Sequence, residues 1–168
     1  MRLTTILLTI TLVALGLSAG FFVTYQISVM PGLARTSDLV FVQSMQAINA
    51  AVRSAPFAVI FFGPLPLLVA TAIASARTRV IAVLLLVAAL LYGAGLIGVT
   101  FAGNVPLNEM LATRLDPADA AAARRAYEAP WNRLNAIRTG CVLVAFALTA
   151  VAATAIRLPA TLGHQQQG

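Results

Sequence analysis

The chain of 168 residues is 60% hydrophobic and only 10% charged, with a mean hydropathy of +0.92. Soluble domains carry about 25% charged residues, so the composition excludes a soluble globule and predicts one integral membrane domain, residues 1–168. All eleven cationic residues are Arg, and the net charge of +6 is spread over loops without a basic run, which excludes a nucleic-acid partner. The single cysteine, Cys141, lies in an apolar run and has no partner for an internal disulfide. No His, Cys pair or carboxylate cluster stands in an apolar run at ligand spacing, so no metal is expected.

The first apolar run predicts a span over about 3–27. A single positive residue precedes it, as in a secretory signal. The run continues through Phe21-Phe22-Val23, however, and reaches the roughly 20 residues needed to cross, which favours an uncleaved helix. Gly16 and Gly20 form a small-xxx-small pair for close helix approach, and Tyr25 reads as an interfacial anchor. Met30-Pro31-Gly32-Leu33 predicts a break. Thr36-Ser37-Asp38 then offers N-caps for a helix over 38–51. Phe41, Met45, Ile48 and Val52 recur on one of its faces, and Gln43, Gln46 and Asn49 on another.

The second span is predicted over about 55–76, with Pro64 and Pro66 kinking it. The third covers about 80–103, carries Gly93, Gly95 and Gly98 for close packing, and places Tyr92 at mid-depth as a hydrogen bond within the bundle. It runs into Asn104-Val105-Pro106-Leu107-Asn108-Glu109, where Pro106 kinks or restarts the helix at the membrane mouth. Asp116 followed by Pro117 starts a helix over 117–130. Pro130 is expected to interrupt it before Trp131. The last span is predicted over about 135–157, followed by a polar tail, 158–168, in which His164 faces solvent.

The fold class is therefore all-α: an integral membrane four-helix bundle with short amphipathic helices in the first and third loops. Four spans put both termini on one side. Arg2, Arg77, Arg79 and Arg157 lie close to helix ends on that side without any acid, whereas seven Arg and all five acids lie on the other. A plain count of Arg would put that other side in the cytoplasm, but the short charged segments of the first side favour an N-in, C-in orientation in a bacterial cell membrane.

Four stretches resemble the anthrone oxygenase-like family, also called domain of unknown function 1772. They are Val29-Met30-Pro31-Gly32-Leu33, Phe41-Val42-Gln43-Ser44-Met45-Gln46-Ala47-Ile48-Asn49, Asn104-Val105-Pro106-Leu107-Asn108 and Trp131-Asn132-Arg133-Leu134-Asn135-Ala136-Ile137-Arg138. Each falls at a helix end, and the resemblance covers roughly residues 10 to 155. The resemblance implies four spans and, from some fungal relatives, oxidation of polyketide anthrones to anthraquinones by dioxygen without a cofactor.

Trp131, Asn135 and Arg138 stand on one helical stripe and Asn104 and Asn108 on another, both on the same side of the membrane. One reading is that the amides and Arg satisfy backbone at helix ends while Trp131 anchors at the headgroups. The other is a pocket for an apolar aromatic substrate. In it, Arg138 and the asparagines would hold an enolate oxygen, Glu109 or Glu128 would serve as base, and Gln43, Gln46 and Asn49 would close the pocket. Asn104 or Asn108 is expected within side-chain contact of Trp131, Asn135 or Arg138. Three function classes stay open: an oxygenase of aromatic substrates, a non-catalytic binder or carrier of a small hydrophobic molecule, and an accessory membrane protein. An ion transporter is disfavoured, because no ionisable residue lies mid-membrane.

Overall fold

The computed structural model describes residues 2–114 and 116–155. The expected end of the last span, the polar tail and His164 lie outside the described residues. Five helices carry the fold: α1 (Leu3–Leu33), α2 (Asp38–Ala51), α3 (Ala55–Ala74), α4 (Arg79–Ala112) and α5 (Ala120–Ala155), and no strand occurs among the described residues. All but α2 are long and apolar enough to cross a membrane. The outer face of α1 shows why no aqueous surface is possible. Leu3, Ile6, Ile10, Val13 and Leu17 form one stripe, and each is 47–65% exposed. An apolar face with no polar counterpart belongs against lipid.

Helix lengths set the depth of everything else. At ~1.5 Å per residue, the 20 residues of α3 match the roughly 30 Å of hydrocarbon, whereas α1, α4 and α5, with 31, 34 and 36 residues, overrun it. All three overruns lie on the side where α3 begins. Together with α2 they form a cap, whose core is Met30, Phe41, Val42, Met45, Leu111, Ala120, Ala123, Tyr127 and Trp131. The second core lies inside the bundle and is built on Leu15, Leu68, Leu85, Tyr92, Leu96 and Val142. There, α1 packs against α3 and α5, and α4 packs against the same two.

Two expected interruptions are bridged instead, and at the third, Pro106, the helix restarts as expected. The helix of the third loop is present but runs unbroken through Pro130 into the last span. Pro130 and Ala126, whose carbonyl loses its donor, are both exposed, so water can take over that acceptor. At Met30–Leu33 the chain stays helical because a wide π-helical turn, Tyr25–Val29, precedes Pro31, and the Met30 N–H donates to the Tyr25 carbonyl five residues back. In α4 the segments Leu91–Gly98 and Thr100–Asn104 are also π-helical, and ordinary α-helix resumes at Val105 beside Pro106. Spans one and three thus extend beyond their expected ends at 27 and 103.

The predicted caps are in place: Ser37 Oγ accepts from the Val40 N–H, and Asp116 Oδ1 accepts from the Ala118 N–H at 2.8 Å. The glycines divide. A Cβ at Gly95 would overlap Cys141 Sγ, so α4 and α5 touch there. A Cβ at Gly20 would meet nothing within 4 Å, and one at Gly16 would make only ordinary contact with Phe146. That pair is no close-approach site, because α1 meets its neighbours through side chains such as Leu8, Leu15 and Phe22.

In the middle of the bundle the buried hydroxyls are satisfied locally, whereas Ser75 Oγ at its base is buried without a partner. Thr11 Oγ1 and Thr71 Oγ1 pair at 2.9 Å between α1 and α3. The Tyr92 hydroxyl, fully buried as expected, bonds Ser18 Oγ at 2.8 Å and donates to the Phe61 carbonyl at 2.9 Å. Towards the cap, α3 and α4 part. Pro64–Ala74 packs along Arg79–Leu90, whereas the extended packing of Ala55–Phe62 is with α1, and it meets α4 through Phe61, Phe62 and Phe101.

Candidate functional site

The parting of α3 from α4 opens a cavity of about 540 Å³ at the boundary between bundle and cap. That size falls within the range of small-molecule sites, about 300–1,000 Å³. Its walls are aromatic: Phe21, Phe22 and Tyr25 from α1, Phe57, Phe61 and Phe62 from α3, Phe101 from α4 and Trp131 from α5. Helical spacing explains the wall, since Phe21 and Tyr25, and Phe57 and Phe61, stand four apart and share a face. The Phe57 and Phe61 rings stack at 5.7 Å, and Phe21 lies 4.9 Å from both Phe57 and Tyr25.

Two polar chains hold this wall. In the first, the Asn108 side-chain oxygen accepts from the Tyr127 hydroxyl at 2.8 Å and from Trp131 Nε1 at 3.0 Å, while Asn49 Nδ2 donates to the Tyr127 oxygen at 3.3 Å. The Trp131 indole is thereby locked as one surface of the cavity. Tyr127 sits in the cap outside the hydrocarbon, where burial above all raises its pKa, so it stays a neutral donor.

The second chain holds Arg138. Its guanidinium donates through Nη1 to Thr100 Oγ1 at 3.2 Å and through Nη2 to Asn135 Oδ1 at 3.0 Å. Asn135 in turn donates to Gln26 Oε1 at 3.0 Å. The guanidinium carbon lies 5.0 Å from the Phe22 ring centre and 5.2 Å from that of Trp131, a cation–π arrangement. Arg138 is only 5% exposed, its Nε has no partner, and no carboxylate pairs with it among the described residues. A buried cation balanced only by neutral dipoles and ring faces is costly, and it is a ready counter-charge for an anion.

The expected contact between the two clusters is present, through Trp131 and Asn108 and through Asn104 Nδ2 to the Trp131 carbonyl at 3.5 Å. Asn108, Trp131, Asn135, Arg138, Asn49 and Glu109 all line the cavity. Other expected members do not. Asn104 is buried beside Trp131 but does not line the cavity, and its Oδ1 has no partner. Glu128 is held by Arg124, Nε to Oε2 at 2.7 Å, in a cluster with Asp38 on the outer side of the cap. The hydrogen bond to Glu128 is the largest of the effects that raise the Arg124 pKa. Gln46 donates to the carbonyls of Leu111 and Arg114 and so caps the end of α4, and Gln43 is exposed. The reason is rotational: the Gln43–Gln46–Asn49 stripe wraps around α2, and only its last member reaches the cavity. Glu109 is exposed and lines the cavity, as do Arg53 and Ser54.

Sequence reasoning missed Tyr25, Tyr127, Thr100 and Gln26. Tyr25-Gln26 at the end of span one was the available signal, since it lies on the same side of the membrane as the two asparagine clusters. Among the described residues, no three His, Cys, Asp or Glu side chains come together.

Residues 57–148, just over half of the chain, match the model of the anthrone oxygenase family. The chain belongs to that family. The match begins at Phe57 on the cavity wall and includes Asn108, Trp131, Asn135 and Arg138. No curated protein and no solved structure matches the chain.

Proposed function

We propose that this family member oxidises an anthrone-like aromatic in the membrane with dioxygen, and that the cavity beneath the cap is its active site. The observation that carries this reading is Arg138, a buried guanidinium without a carboxylate partner, set against an aromatic wall. An anthrone loses a proton from its central methylene to give an enolate. The enolate oxygen would lie on Arg138, and donors aimed at a developing charge in a dry site contribute several kcal/mol. Carbon then adds dioxygen, and the resulting hydroperoxide loses water to leave the quinone, so one dioxygen is consumed and one water formed. Phe21, Phe57 and Trp131 would hold the rings. The first proton would leave towards the rim, where Glu109 and water can accept it. Arg77 and Arg79, flanking the turn at the base with no acid beside them, support the base-in orientation in a bacterial cell membrane, which places the cap outside.

The test is oxygen uptake by reconstituted protein with a hydroxylated anthrone. Replacing Arg138 by Gln keeps a donor but removes the charge. Loss of about 2–4 kcal/mol of transition-state stabilisation should slow uptake roughly a hundredfold or more without lowering the melting temperature. Wild-type protein that binds the aromatic but takes up no oxygen would make this chain a binder or carrier.

A further inference from the structure

We propose that Tyr25 is a catalytic residue of this site, the group that gives a proton to the peroxide and then takes the last proton from carbon. The proposal rests on the oxygenase reading above.

The chemistry requires such a group. After dioxygen adds, the peroxide anion must be protonated, and the same carbon must then lose its remaining hydrogen as the O–O bond breaks. Two of the titratable candidates are committed elsewhere. Glu128 is engaged by Arg124, and the Tyr127 hydroxyl is spent on Asn108 while accepting from Asn49. Glu109 is exposed at the rim.

Tyr25 is different on each count. It is half-buried, it lines the cavity, and its hydroxyl makes no hydrogen bond among the described residues. Its ring is held 4.9 Å from Phe21 and 5.8 Å from Trp131. Arg138 lies over the same Trp131 ring and lines the same cavity, so phenol and guanidinium can meet one ligand together. Tyr25 is also the first residue of the π-helical turn in α1, and such turns redirect side chains and recur at functional sites.

The steps balance. The enolate passes two electrons to dioxygen as the C–O bond forms. The Tyr25 phenol protonates the terminal peroxide oxygen and becomes a phenolate beside the Arg138 cation. That phenolate removes the remaining hydrogen from carbon, the C–H electron pair becomes the second C–O bond, and the O–O bond breaks to release hydroxide. Tyr25 is a phenol again, and hydroxide combines with the proton lost when the enolate formed.

The experiment compares full-length wild type with Tyr25→Phe, which keeps the ring and loses only the hydroxyl. Three readings are taken: oxygen uptake with a hydroxylated anthrone above the protein-free rate, the ratio of hydroperoxide to quinone formed, and quenching of the single Trp131 by a hydroxyanthraquinone. General acid–base catalysis contributes about a hundredfold or more, so quinone formation should fall by that factor while hydroperoxide accumulates and quenching is unchanged. A purely structural Tyr25 would alter quenching and leave the ratio alone. A variant that matches wild type in rate and ratio overturns the proposal while the oxygenase reading stands. A wild type that is quenched but takes up no oxygen overturns both.

Discussion

The middle of the bundle and the layer just beneath the cap are made from the same residue types, yet they solve opposite problems. In the middle layer Leu15, Leu85, Leu96 and Val142 are fully buried between the spans. The polar groups there are neutral hydroxyls that pair with each other or with a carbonyl, as Thr11 does with Thr71 and Tyr92 with Ser18 and Phe61. One layer higher, α3 leaves α4, rings line a cavity instead of filling it, and a guanidinium is buried without an anion. The lower layer is optimised for packing, and the upper layer holds unspent interaction potential. Two of the three buried polar atoms without a partner among the described residues, Asn104 Oδ1 and Arg138 Nε, lie in this layer, and their clustering beside an aromatic cavity marks a binding site more sharply than residue identity does.

If the middle layer is packed as described, truncation there should be the most damaging change of all. Leu85→Ala should cost about 2–5 kcal/mol, read as a large fall in melting temperature, while the affinity of the upper cavity for a hydroxyanthraquinone stays as it was. Equal loss of affinity would mean that the two layers are not separable. A second change strikes the upper layer through its scaffold. Asn108→Leu strands the Tyr127 hydroxyl and Trp131 Nε1, and a buried donor left unpaired costs about 1–3 kcal/mol. Here stability and affinity should fall together, with a shift in Trp131 emission as the indole loses its acceptor. Emission that does not move would show that Asn108 does not hold the ring. The smallest effect belongs to Tyr92→Phe. Hydrogen bonds between spans average about 0.6 kcal/mol, so only a slight drop in melting temperature is expected, with no change in oxygen uptake. An effect of Tyr92→Phe on uptake would erase the contrast between the layers.

The difference between what could and could not be read in advance follows the range of the interactions. Length and hydropathy determine four spans, because hydrocarbon admits only long apolar helices. The helix caps at Ser37 and Asp116, the inward face of α2 and the meeting of the Asn108 and Trp131 clusters were legible for the same kind of reason: each depends on near neighbours or on depth in the membrane. Proline was the misleading signal. Pro31 and Pro130 predicted breaks, but a local breaker stops a helix only where the freed carbonyl has no other partner, and a π-helical turn at one and exposure at the other removed that condition. Glycine gave one right and one wrong signal: Gly95 makes the expected close approach, against Cys141, whereas Gly16-xxx-Gly20 has the spacing but no close contact, a matter of which faces meet.

Which polar residues share the site was decided by tertiary structure alone. Sequence placed Glu128, Gln43, Gln46 and Asn104 at the right depth, but only rotation of each helix about its own axis sends Glu128 to Arg124, Gln46 to the end of α4 and Tyr25 into the cavity. Depth is determined by the bilayer and can be counted along the chain. Rotation is determined by packing against helices distant in sequence, and in α1 and α4 by π-helical turns that shift every later side chain around the axis.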